Sequence, residues 1–152
     1  MAGKESRGVQ ESEADLFRGR PYVLTGRDQN LESWIERIGA RLVILDPEEH
    51  DRLVALTSHL PQLLSTALAS VIRSEPNAPR VAGPAATEMT RLAQSPYEIW
   101  RDIFSTNAGS IDAALRLFIQ KLTALRDIFR DPSMEKEFET AAETSRGLRE
   151  VS

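Results

Sequence analysis

The chain has no cysteine, so it can hold no disulfide framework, no thiolate metal site and no cysteine nucleophile. Lysine is nearly as scarce: Lys4, Lys121 and Lys136 are the only ones, and every other base is arginine. That bias fits a GC-rich coding sequence, and it also supplies planar guanidinium groups suited to anions. The glycines never fall into GxGxxG or GxxxxGK[ST], so no phosphate-cradling loop is encoded. A GxSxG nucleophile elbow is absent as well. The start, MAGKESRGVQESEADLF, contains no apolar run of signal-peptide length, and no later stretch approaches the ~20 apolar residues of a spanning helix. Together with the missing cysteine, this predicts a soluble, cytoplasmic protein without a membrane partner. Charge of one sign is lacking too: 19 basic against 23 acidic side chains leave −4, with the signs interleaved, which disfavours nucleic acid as a partner.

What is present suffices for a core, with 41% hydrophobic residues over 152 positions. Residues 21–25, PYVLT, and 41–45, RLVIL, are short β-rich runs. Between them QNLESWIERIGA places apolar residues at helical spacing, with Gly39 as a stop. A crossover of that length joins parallel strands, so residues 1–46 read as the end of an α/β sheet that expects further strands. Everything after Asp46 reads as helical, and the predicted fold class is mainly α. Expected helices span 47–73, 85–94, 96–106, 110–130 and 133–147, with a polar tail after Phe138 that should fray. Asp46-Pro47-Glu48-Glu49 combines a capping carboxylate, a first-turn proline and acids suited to the helix dipole. Ser95-Pro96-Tyr97-Glu98 repeats the device, Asp131-Pro132 offers a third start, and Asn107-Ala108-Gly109-Ser110 should end one helix and cap the next. Helix 110–130 carries Ile111, Leu115, Phe118, Leu122, Leu125 and Phe129 on one stripe, with Leu117, Ala124 and Ile128 around the side. A helix apolar on more than one face predicts a homodimer, unless neighbouring helices of the same chain cover it.

Both histidines lie in HDRLVALTSHLPQLLSTALA, residues 50–69. Nine steps of about 100° put His50 and His59 on opposite faces of an unbroken helix, and no third ligand partner stands out, so no metal site is expected. His50, among Glu48, Glu49 and Asp51, is given no role. His59, among Leu56, Leu60 and Leu63, reads either as a hydrogen-bonded core histidine or as a ligand-facing one. Pro61 favours the second, because a proline inside a helix costs about 3 kcal/mol and implies a local bend. Arg91, in TEMTRLAQS, is either solvated or the planar fork for a carboxylate.

Taken in order, three stretches give the chain a resemblance to the prephenate dehydrogenase family. MAGKESRGVQESEADLFRGRPYVLT is similar to the end of that family's Rossmann-type nucleotide-binding domain. DPEEHDRLVALTSHLPQLLSTALA resembles its first long dimerisation helix, and TRLAQSPYEIWRDIFSTN resembles the T-R-[IL]-A…W-R-D-I…N block that follows. The resemblance implies an α/β remnant over 1–46 and a helical dimerisation and substrate-binding domain over 47–152. It implies NAD- or NADP-dependent oxidative decarboxylation of prephenate in tyrosine biosynthesis, with His59 toward the substrate's side-chain end. Arg91 would bind a carboxylate, and Trp100 would wall the pocket. The family's catalytic histidine would precede Met1, so no catalytic or cofactor-binding residue is assigned, and the chain alone is expected to be inactive. Before Thr90 the family's glycine-aromatic-basic-aspartate run is replaced by Ala85-Ala86-Thr87-Glu88, with Glu88 as the stand-in acid. The competing expectation is a non-catalytic helical dimer or regulatory module that binds an aromatic acid or a protein partner.

Overall fold

The two β-rich runs pair as the sequence predicts. In the structure, a computed structural model that describes residues 9–151, β1 (Pro21–Leu24) lies parallel to β2 (Arg41–Ile44), with Tyr22 opposite Leu42 and Val23 opposite Val43. Helix α1 (Gln29–Arg37) supplies the crossover that parallel pairing needs. Its start is set by Asp28, whose carboxylate accepts from the Asn30 and Leu31 amides at 2.9 and 3.0 Å. Its end is Gly39 at φ 76. There the Gly39 amide donates to the Glu36 carbonyl and the Ala40 amide to that of Ile35, the paired bonds that close a helix on a left-handed glycine. Ile35, Leu24 and Ala40 form a small buried core on which Phe17, Tyr22 and Leu42 pack.

The long helix expected over 47–73 is interrupted. Helix α2 (Pro47–Val54) begins as read, with the Glu49 amide donating to the Asp46 carboxylate at 2.8 Å. Ala55–His59 then form a π turn, in which the Leu60 amide reaches back five residues to the Ala55 carbonyl, before α3 (Leu60–Arg73) resumes. Pro61 explains the break: it has no N–H, and its ring would crowd the carbonyl of Thr57 in a regular helix. The wide turn puts Pro61 in the first turn of α3, where the missing donor is harmless. The Thr57 hydroxyl, bonded to the Leu53 carbonyl at 2.9 Å, favours the same bend. A count of about 100° per residue therefore does not carry across this turn, and the opposite-face argument for His50 and His59 loses its premise.

The helix expected over 85–94 also divides, into α4 (Pro84–Met89) and a 3₁₀ turn, Arg91–Gln94. The Thr90 hydroxyl bonds back to the Ala86 carbonyl at 2.8 Å, and α3 captures the backbone of the following residues, as described below. Helices α5 (Tyr97–Thr106), α6 (Ala108–Asp127) and α7 (Ser133–Val151) complete the chain. Ser95 does not cap α5, which starts without a side-chain cap; the indole of Trp100 donates to its hydroxyl instead. Asn107 ends α5 as expected, but its side chain turns to other partners rather than capping α6. Asp131 does cap α7, accepting from the Ser133 amide at 2.8 Å. Helix α7 runs to Val151, beyond the end expected at 147, through a stretch in which Glu, Ala and Arg are frequent and favour helix.

The chain divides into two compact units: the segment up to His50 together with that from Ile119, and Asp51–Phe118. In the second unit Ala55, Leu60, Ile111 and Ala114 are buried, with Leu63, Leu64, Phe104, Leu115 and Phe118 packed around them. The apolar stripe of α6 is thus covered over its first half, with Leu125 beyond it half-buried. Leu117, Ile119 and Leu122 are 50–60% exposed, and Phe129 beyond the helix end is 66% exposed. A mainly helical fold with a small α/β part is the class read from the sequence. Among the described residues, no helix is long and apolar enough to cross a membrane.

Candidate functional site

His59 closes the π turn and is buried, 7% exposed. Its ring packs T-shaped against Trp100 of α5, with centroids 6.1 Å apart and planes at 84°. Trp100 leans in turn on Phe104, 5.7 Å away, and its indole N–H donates to the Ser95 hydroxyl at 2.9 Å. Asn107 Nδ2 lies 3.4 Å from His59 Nδ1 and donates to the Asp51 carbonyl at 2.8 Å. One polar ring therefore has both an aromatic and an amide neighbour, at a turn that interrupts an apolar helix. Interruptions of this kind recur at functional sites.

Arg91 is exposed and opens the 3₁₀ turn. Two buried polar side chains of α3 hold that turn: Gln62 Nε2 donates to the Leu92 carbonyl at 2.9 Å, and the Ala93 amide donates to the Ser65 hydroxyl at 3.0 Å. The backbone just after Arg91 is thus anchored to the helix that begins immediately after His59. Glu88 is exposed on α4, and no hydrogen bond or ring contact joins it to His59 or Trp100. The structure brings together His59 and Trp100, ties the Arg91 turn to α3, which follows His59, and leaves Glu88 apart. His50 is half-buried near the start of α2, and among the described residues no cluster of three or more histidines and carboxylates could hold a metal.

Asn107, Gln62, Ser65 and Ser95 were not singled out as site residues. A signal did exist: His59, Gln62 and Thr66 recur at three- and four-residue spacing, with Ser65 beside them, in a stretch rich in Leu and Ala, and polar side chains that become buried there require partners.

The β1–α1 connection, Thr25–Asp28, does not fit a dinucleotide. It has one glycine, Gly26, and the Asp28 carboxylate already takes the first amides of α1 that a pyrophosphate would need, with a charge that repels one.

Residues 46–143 match the family model for the prephenate dehydrogenase dimerization domain. The chain is similar to cyclohexadienyl dehydrogenase of Zymomonas mobilis, 30% identical over 83% of this chain and 47% of that protein. It is also similar in structure to prephenate dehydrogenase of Aquifex aeolicus in complex with hydroxyphenyl propionate and NAD+, 26% identical with a TM-score of 0.82, over 100% of this chain and 57% of that one. Arogenate dehydrogenase of Synechocystis, 24% identical, shares the fold with a TM-score of 0.84 over 97% and 59% of the two chains. The chain spans about half the length or less of the curated relatives it matches. With the dimerization-domain match running through the helices that carry His59, Arg91 and Trp100, the chain belongs to the prephenate dehydrogenase family.

Proposed function

We propose that this chain is the substrate-binding and dimerisation part of a dehydrogenase that acts on prephenate or a related aromatic acid by NAD- or NADP-dependent oxidative decarboxylation, in tyrosine biosynthesis. The observation that carries the reading is the buried His59 packed T-shaped against Trp100, immediately before the helix that pins the Arg91 turn. Trp100 offers the ring of an aromatic acid a flat wall, His59 a hydrogen bond to its polar end, and Arg91 a fork for a carboxylate. Glu88, exposed on the preceding helix, is the weakest of the four assignments.

Residues 1–46 are then the end of a nucleotide-binding domain and 47–152 the helical domain, and the family match beginning at residue 46 supports that division. The cofactor's own site belongs to other residues of such a domain, since the β1–α1 connection does not suit it. The half-exposed apolar side chains of α6 support a homodimer through the helical part, and the cytoplasm is its proposed location.

Calorimetry with hydroxyphenyl propionate and with prephenate tests the site. Arg91→Ala is expected to weaken binding by about 1.5–3 kcal/mol, the range for a hydrogen bond to a charged group, and unchanged affinity would remove Arg91 from it. The half-exposed apolar side chains of α6 also fit a second reading, a helical dimer or regulatory module that binds an aromatic acid or protein partner without catalysis. Turnover of prephenate by this chain with either nicotinamide would reject that second reading.

A further inference from the structure

We propose that Asn107 is a positioning residue that holds His59 as the neutral tautomer, with Nδ1 bare and the ring proton on Nε2. The Asp51 carbonyl can only accept, so the Asn107 amide atom 2.8 Å from it must be the NH₂ group rather than the oxygen. That same nitrogen lies 3.4 Å from His59 Nδ1. Its second N–H therefore faces the ring nitrogen, which must present a lone pair; an imidazolium or the Nδ1–H tautomer would set two N–H groups against each other. Asn107 is 8% exposed and His59 7%, so little water can intervene to relieve such a clash. At 3.4 Å the attraction is weak, and the selection comes from the repulsion that the other protonation states would meet.

The inference rests on the ligand-facing reading of His59 and deepens it. A ring that carries its proton on Nε2 donates there, so the ligand group it meets is an acceptor, a keto or carboxylate oxygen rather than a hydroxyl acting as donor. Asn107 sets this from the end of α5, the helix that also carries Trp100.

The test is nitrogen-15 NMR of the imidazole in the full chain carrying His50→Gln, which leaves His59 as the one histidine. An unprotonated Nδ1 with a protonated Nε2 at neutral pH is the expected result. A proton on Nδ1 overturns the proposal without recourse to any variant at position 107. Asn107→Asp, which puts an acceptor at the same place, is expected to draw a proton to Nδ1; a folded variant with the wild-type ring signature overturns the proposal as well. Saturating hydroxyphenyl propionate should shift the Nε2 resonance. A ring with the expected tautomer that ignores this ligand would overturn the ligand reading of His59 and leave the Asn107 assignment standing.

Discussion

Asp131 works within two residues of itself. Its carboxylate is held below the usual carboxylate range by the backbone amide and hydroxyl of Ser133, which stabilise the charged form at the start of α7. Because the folded pKa lies below the unfolded one, this stabilisation is fully present above the unfolded value and is lost as pH falls through the depressed one. The first turn of α7 is therefore expected to loosen in that acidic window, seen as faster exchange of the Ser133 amide, and Asp131→Ala should abolish the pH dependence. An identical pH profile in the variant would show that the cap plays no part. Asp46 and Asp131 were both legible in the sequence because a cap reaches only two or three residues ahead. Ser95 sits in the same kind of motif, yet its hydroxyl is taken by the Trp100 indole, a competition decided by how α5 enters rather than by the motif.

Among elements, the clearest case is the Arg91 turn. Its sequence continues the periodicity of α4, but Gln62 and Ser65, 28–30 residues away, hold the Leu92 carbonyl and the Ala93 amide in a 3₁₀ turn instead. Gln62→Ala would leave the Leu92 carbonyl with the Ser95 amide as its donor, and the expected loss of stability from the hydrogen bond is about 0.5–1.5 kcal/mol, measured by urea unfolding. Amide exchange at Leu92–Gln94 should accelerate beyond what the global change explains, and exchange that follows global stability alone would count against the anchor. The π turn shows the converse. Pro61 announced a disturbance in the sequence, because a proline's missing donor is a local fact, whereas its form, five residues wide with His59 at its end, depends on the side chains packed around Ala55 and Leu60.

For the whole molecule, the apolar surface left on α6 is the governing feature. Leu117 and Leu122 stay at least half exposed although their helix begins in a packed core, and a second copy is the proposed cover. Sedimentation equilibrium at micromolar concentration is expected to show a dimer. Leu122→Glu should shift it to monomer with helicity unchanged, since the change would bury an unpaired charge in the interface. A wild-type monomer would contradict the homodimer directly. By itself the sequence determined the parallel strand–helix–strand start, the helical remainder, the caps at Asp46 and Asp131 and the family of the chain, because each of these is written in neighbouring residues or in the order of motifs. Only the tertiary structure decided that Asn107 faces His59, that Gln62 and Ser65 hold the Arg91 turn, and that the stripe of α6 is covered for half its length. Those contacts join residues tens of positions apart, and a buried polar group takes whichever partner the packing of helices brings within hydrogen-bond distance.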